Sequence, residues 1–406
     1  MGHTEFVALM AAFSITIAVA IDIILPAFDE IKNDFGLAAD SNSIALTITL
    51  YFLGIASAQL LYGPLADHFG RKPILAAGFV IYLLGAAASM MAPSLGVLLV
   101  ARFVWGVGAA SPRVLTNTIV RDVFEGDQMA RVLSLVMSVF LIGPIVAPLI
   151  GEGLLQVSDW RVVFGASLLL GLFTLVWSLR LGETLDPAHH IPLGLSRTRD
   201  GFRAVLTTRT AVGYGLALTF VFGILLTLLA SSPLIFDVVY GRSAQFALLF
   251  SLASAVSAGA AYANSRLVER VGARIVMLVS GAGFVVLGAA ITLLSTIGAG
   301  RPPFWVWYAL VTGIFALISI FIPTGNALAM EPMGHLAGTA SAVIGTFSLL
   351  GGTVLGFLID ATLESSVTPM SFGFLIYGSL AMLSVVWAGW KTGDGFLTPE
   401  RPALSR

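Results

Sequence analysis

Gly63-Pro64-Leu65-Ala66-Asp67-His68-Phe69-Gly70-Arg71-Lys72 is a short polar interruption between two apolar runs. A related stretch reads Ser265-Arg266-Leu267-Val268-Glu269-Arg270-Val271-Gly272-Ala273-Arg274. Setting Gly70 on Gly272 matches Leu65 with Leu267, Asp67 with Glu269 and Lys72 with Arg274. The offset is 202 residues in a chain of 406, so the repeated unit is half of the molecule.

Apolar windows long enough to cross a bilayer lie on both sides of each stretch. The first half gives spans 1–6 at 6–28, 43–66, 73–92, 95–118, 130–154 and 159–180. The second gives spans 7–12 at 211–232, 244–265, 275–296, 304–329, 337–360 and 368–390. The expected fold is an all-α polytopic membrane protein of twelve transmembrane helices in two six-helix halves. The expected divisions are 1–180, a linker at 181–209 carrying Pro187, His189, His190, Arg197, Arg199, Asp200 and Arg203, a second half at 210–390 and a tail at 391–406. A duplicated unit of this kind places its binding site between the halves near mid-membrane.

Composition agrees. The chain is 57% hydrophobic and 11% charged, with mean hydropathy +0.96. A soluble domain carries about 25% charged residues to cover its surface. The first apolar run lacks a basic leader and exceeds a signal-peptide core, so it reads as the first span. An even number of spans puts both termini on one side. Placing them inside gives 15 Lys and Arg to inner loops and tails against 4 outside, namely Lys32, Arg161, Arg242 and Arg301. The expected location is a bacterial cytoplasmic membrane with cytoplasmic termini.

Several function classes fall away. There is no basic block for nucleic acid. Cysteine is absent, which excludes disulfides and thiolate chemistry. The adjacent His189 and His190 read as solvated linker residues rather than metal ligands. No G-x-x-x-x-G-K-[ST] loop occurs, so ATP-driven transport is unsupported. No catalytic constellation stands out. The reading calls for no enzyme, no cofactor and no metal.

Asp22 is a lone carboxylate in the first apolar run. Intramembrane carboxylates are costly and usually face a cavity with work to do. Desolvation favours the neutral form of a carboxyl group, which suits loading and release of a proton. Asp22 and Arg102 each lie a few residues from the outer ends of spans 1 and 4, at similar depth, so they are expected to face one another. The alternative for Asp22 is exposure to outer water by unwinding near Pro26. Arg113 lies eleven residues after Arg102, about three helical turns, and shares its stripe. Pro112 is expected to kink the helix there. Arg113 is read as biasing the cavity towards anionic or zwitterionic cargo; the alternatives are a structural pair with an acid, or an arginine that snorkels out of a differently placed span. Tyr51, Asn117 and Phe222 complete the expected cavity, with packing or interhelical hydrogen bonding as the plainer alternative.

The stretch Gly63 to Lys72, followed by Pro73-Ile74-Leu75, resembles the G-x-L-a-D-r-x-G-R-[RK] signature of the major facilitator superfamily. More narrowly the chain is similar to the drug:proton antiporters of the bicyclomycin/chloramphenicol-resistance (Bcr/CflA) group. Ile21-Asp22-Ile23-Ile24-Leu25-Pro26, Arg102-Phe103-Val104-Trp105-Gly106 with Ile119-Val120-Arg121-Asp122, Ala147-Pro148-Leu149-Ile150-Gly151 and Ala337-Gly338-Thr339-Ala340-Ser341-Ala342 carry that likeness. The resemblance implies that Asp67 and Arg71 lock a cytoplasmic gate, with Asp122 as partner. It also gives Asp22 and Arg102 central roles in proton and substrate binding. Gly63 and Gly70 are expected to allow close backbone approach and a tight turn.

Span 5 departs from the antiporter pattern G-x-x-x-G-P-x-x-G-G. It reads Gly143-x-x-x-Ala147-Pro148-x-x-Gly151-Glu152, with an extra Pro144. Gly143, Pro148 and Gly151 are expected to pack and bend an outer gate helix, and Glu152 to lie at the outer surface. The expected activity is multidrug efflux of the kind that confers antibiotic resistance. In it, small amphiphilic molecules leave in exchange for protons by alternating access, through a functional monomer in membrane lipid. The alternative is a proton-coupled metabolite exporter or uptake symporter of the same fold.

Overall fold

The computed structural model describes residues 1–38, 40–186, 202–363 and 365–389, except for the side chains of 334–339. The expectations for Pro187, His189, His190, Arg197, Arg199, Asp200 and the tail from Trp390 lie outside the described residues, as do the side chains of Ala337, Gly338 and Thr339.

Among the described residues, twelve helices are long and apolar enough to cross a membrane. Spans 1–6 are His3–Asp22, Leu46–Phe69, Arg71–Met90, Leu95–Val123, Gly126–Leu155 and Arg161–Ser178. Spans 7–12 are Arg209–Leu234, Phe246–Val271, Ala273–Ile297, Phe304–Met330, Ala337–Asp360 and Thr368–Gly389. Two expectations need correction at the helix ends. Span 1 stops as an α-helix at Asp22 and continues through a 3-10 turn, Leu25–Ala27, into a short helix, Phe28–Asp34. Pro26 sits in that turn because it has no N–H to continue the α ladder. The interruption Gly63–Lys72 shrinks to Gly70 alone, because span 2 stays helical through Gly63 and Pro64. Span 4 likewise remains a continuous helix across Pro112.

Gly70 has φ 97° and ψ 156°, and Gly272 has φ 85° and ψ 148°. Residues with a Cβ rarely adopt this conformation, so each helix pair turns on its glycine. The matched geometry at aligned positions is the structural form of the sequence repeat.

The structure divides into two compact units. One is Met1–Leu195, Leu226–Ser254 and Asp360–Ser365; the other is Ser196–Leu225, Ala255–Ile359 and Ser366–Arg406, each over its described residues. In the first unit span 4 packs on spans 2 and 3, span 5 on span 1, and span 6 on span 3. In the second unit span 9 packs on spans 10 and 12. There Gly352 of span 11 meets Phe222 of span 7. Span 8 is tied to span 10 by Asn264 Nδ2 donating to Thr324 Oγ1 at 3.1 Å. The pairings repeat with every span number raised by six.

Small residues set the separations. A Cβ on Gly106 of span 4 would collide with the Tyr51 carbonyl of span 2. Helices in an apolar solvent gain from such close approach through dispersion contacts rather than from the hydrophobic effect. Next to Gly106, Trp105 is fully buried, edge-on to Tyr51 and Tyr82 at 5.9 and 5.4 Å between ring centroids. Gly106→Leu should therefore lower the thermal midpoint of purified protein sharply. Gly259→Leu, where a Cβ meets nothing within 4 Å, should leave it unchanged.

Candidate functional site

Asp22 is the last residue of the span 1 helix and only 2% exposed. Its Oδ1 is buried with no hydrogen-bond partner. The chain does unwind near Pro26, but this leaves Asp22 covered rather than open to water. Arg102 of span 4 is fully buried. Its Nη1 donates to the Ala20 carbonyl at 3.0 Å and its Nε to the Thr47 carbonyl at 3.1 Å. The last turn of a helix leaves carbonyls without intrahelical donors, and Arg102 takes one of them. The guanidinium also lies 4.4 Å from the Tyr51 ring centroid and 4.8 Å from that of Trp105. The expected facing pair is thus corrected. Asp22 and Arg102 sit at the same helix end but form no ion pair; the guanidinium directs Nε and Nη1 at backbone carbonyls and lies against aromatic faces. Arg102 Nη2 and the Tyr51 hydroxyl are buried without partners.

Arg113 lies further along span 4 and is half-buried. Among the described residues it forms no hydrogen bond and no ion pair, so the acid partner weighed for it is not found. Tyr51 lies within the field of both arginines. Asn117, one turn beyond Arg113, is exposed. Phe222 belongs to the other unit, where it packs against Gly352.

Gly143, Ala147, Pro148 and Gly151 form the buried face of span 5 at its distal half. A Cβ on Gly143 would strike Ala18, and one on Gly151 would strike the Ile23 carbonyl. The span 5 pattern therefore presses on span 1 on either side of Asp22. Ala147 preserves that packing in place of glycine. Glu152, next in sequence, is half-buried and forms no ion pair among the described residues.

At the end of the first unit nearer Met1, Arg71 joins two carboxylates. Its Nη1 pairs with Asp67, and its Nε donates to Asp122 Oδ2 at 2.9 Å. Asp122 also accepts from the Thr184 hydroxyl at 3.2 Å. Glu183, which sequence reading missed, accepts from the backbone N–H groups of Arg71 and Lys72 at 2.9 and 3.1 Å. It caps the first turn of span 3 from the chain that leaves span 6, where unpaired N–H groups favour an anion. Partial burial opposes its charge, yet these backbone donors and those of Thr184 and Leu185 hold its carboxyl below the usual range. Gly70 leaves room for it, since a Cβ there would lie 2.6 Å from Glu183 Oε2. Gly63 is corrected: it sits within a helix with nothing within 4 Å of a Cβ, so no close approach depends on it. In the second unit Arg274 Nη2 lies 3.5 Å from Glu331 Oε1, linking the start of span 9 to the end of span 10 as Arg71 and Asp122 link spans 3 and 4.

The opposite end carries a second polar group that sequence reading also missed. Lys32, 3% exposed, lies 2.9 Å from Asp29 and 3.5 Å from Asp237. Asn42, Ser231 and Asp360 form a neighbouring hydrogen-bonded set. Sequence reading took Lys32 as an outer-loop charge and Asp360 as a span boundary. Asp360 gives the same signal as Asp22, a single carboxylate closing an apolar run. Among the described residues, no group of three or more His, Asp or Glu is placed to hold a metal ion.

A family model described as Major Facilitator Superfamily matches residues 6–356. The chain is similar to a bicyclomycin resistance protein homolog of Haemophilus influenzae, 29% identical over 384 residues, covering 94% of each chain. It is also similar to the multidrug resistance protein MdtL of Salmonella heidelberg, 27% identical over 369 residues, covering 91% of each. Among solved structures, a D-xylose-proton symporter shares the fold with a TM-score of 0.76 at 15% identity, covering 98% of each chain.

The Glu183 cap predicts a pH signature. A carboxyl held below its ordinary value of 4.5 adds stability above that value and loses it as pH falls through the depressed one. Glu183→Gln should lower the thermal midpoint by a few degrees at neutral pH. Its gap from wild type should close as the pH is taken down through and below the ordinary glutamate range.

Proposed function

The chain belongs to the Major Facilitator Superfamily, and on that footing we propose that it exports small amphiphilic molecules, drugs among them, in exchange for protons. The observation that carries this reading is Asp22. It is a membrane-embedded carboxyl without a counter-ion, at the end of a helix clamped by Arg102 and by the small face of span 5. Such a group binds a proton when closed off and releases it when water or a charged group reaches it. The names of the bicyclomycin and multidrug resistance relatives supply the direction and the class of cargo.

In the cycle, Asp22 takes a proton from the side opposite the termini, and the halves rock about a central site. Arrival of cargo displaces the proton to the other side. Arg102 fixes the end of span 1 against spans 2 and 4. Arg113, Tyr51, Asn117 and Phe222 contribute to the cargo site, with Arg113 facing anionic groups on the cargo. Gly143, Pro148 and Gly151 let span 5 bend on span 1. Asp67, Gly70, Arg71 and Asp122 form a gate made in one state and broken in the other. The halves are 1–180 and 210–390, joined by a linker at 181–209 and followed by a tail at 391–406. The protein works as a monomer in a bacterial cytoplasmic membrane, with both termini in the cytoplasm.

Acid-inside inverted vesicles test this with a panel of cationic, neutral and anionic drugs. A transported compound should raise lumenal pH with wild type and not with Asp22→Asn. A compound that is transported while moving no protons would contradict antiport. Arg113→Ala should weaken apparent affinity for anionic members of the panel by about tenfold, the scale of one lost hydrogen bond to a charged group, and leave neutral members unchanged.

A further inference from the structure

Asp360 closes span 11 and is 5% exposed. Its Oδ1 accepts from the Ser231 hydroxyl at 2.5 Å, while its Oδ2 is buried with no hydrogen-bond partner. Asn42, on the segment leading into span 2, donates Nδ2 to Ser231 Oγ at 3.1 Å and to the Asp360 carbonyl at 2.9 Å. The Asn42 Oδ1 is also buried and unpartnered. Two acceptor oxygens in one buried cluster thus lack a donor. A bare carboxylate left in this setting is strongly disfavoured. A proton on Asp360 removes the charge and turns Oδ2 from an unpaired acceptor into a donor.

The charged groups on the neighbouring elements do not do this work. Lys32 is bound to Asp29 and Asp237, and none of these three pairs with Asp360. Asp22 does not pair with it either. The groups that do face Asp360, Asn42 and Ser231, are neutral.

We infer that Asp360, with Ser231 and Asn42, is a second proton-binding site, loaded whenever Asn42 is closed over the ends of spans 7 and 11. Asn42 precedes span 2, whereas Ser231 and Asp360 belong to spans 7 and 11. Movement of the segment carrying Asn42 away from the ends of spans 7 and 11 lets water reach the carboxyl, which then ionises. Closing buries it again and requires a proton from the same solvent on Oδ2. The site makes closure of this end depend on protons without carrying one across, and it rests on the reading above for its role in transport.

The chain has no cysteine, so spin labels can be placed cleanly on the exposed positions of Asp40→Cys and Ala244→Cys. Their separation is measured in lipid nanodiscs across a pH series at fixed sodium, without cargo. In an otherwise wild-type background the short, closed distance should dominate at low pH and give way to a longer one as pH rises. Asp360→Asn, which cannot ionise, should hold the short distance at every pH. Ser231→Ala keeps the carboxyl but loses a hydrogen bond to it, so the midpoint should move while the response survives. No pH response in the wild-type background, an unaltered response in Asp360→Asn, or an unmoved midpoint in Ser231→Ala would each overturn the site. A response that follows sodium at fixed pH would overturn the proton in favour of a metal cation. Because no cargo is present, vesicles that show uncoupled transport would refute antiport and leave this proton site standing; a pH response independent of Asp360 would do the reverse.

Discussion

Arg102 donates to the carbonyls of Ala20 and Thr47 and lies against the faces of Tyr51 and Trp105. This one side chain binds the end of span 1 to spans 2 and 4. It also leaves Asp22, two residues from Ala20, without a counter-ion. A guanidinium paired with Asp22 would hold that carboxyl charged and make it a structural group. Directed at carbonyls and aromatic rings, the same guanidinium fixes the backbone around Asp22 while leaving its carboxyl free to change protonation. The small face of span 5 presses on Ala18 and Ile23 from the other side, so the carboxyl is held by its backbone alone.

The two ends of the bundle use different chemistry. Nearer Met1 in the first unit, Arg71, Asp67, Asp122 and Glu183 form a charged cluster in which every named group has a partner. At the other end Asp360 sits among neutral groups with an oxygen left over. A fully paired cluster is made or broken as a unit. A buried carboxyl short of a donor is sensitive to protons by construction. Asp22 and Asp360 share that character, and both lie in the first unit away from Met1.

Much of this was legible in the sequence, for reasons that differ by residue. The twelve spans follow from hydropathy because a bilayer demands long apolar helices. The repeat at Gly70 and Gly272 follows because only glycine suits the backbone both turns require. Asp67, Arg71 and Asp122 were placed together through the family signature and are found together. Helical depth put Asp22 and Arg102 at one level but said nothing of their azimuth, nor that the end of span 1 would offer carbonyls to the guanidinium. Gly63 belongs to the same signature as Gly70, yet it lies inside a helix with nothing near it, because membrane helices accommodate glycine and proline and only Gly70 stands at the turn. Glu183 was invisible because its role depends on the chain after span 6 returning to the start of span 3. Asp360 carried the same signal as Asp22 and was passed over as a span boundary.

The most direct test of the central claim measures protons at the moment of cargo binding. Purified protein in weakly buffered detergent is mixed with a transported compound, and proton release is followed with a pH-sensitive dye. Release in step with cargo bound, lost in Asp22→Asn while cargo still binds, is the expected result. Cargo binding with no proton release from wild type, or with the same release from Asp22→Asn, would contradict the assignment of Asp22 as the group that exchanges its proton for cargo.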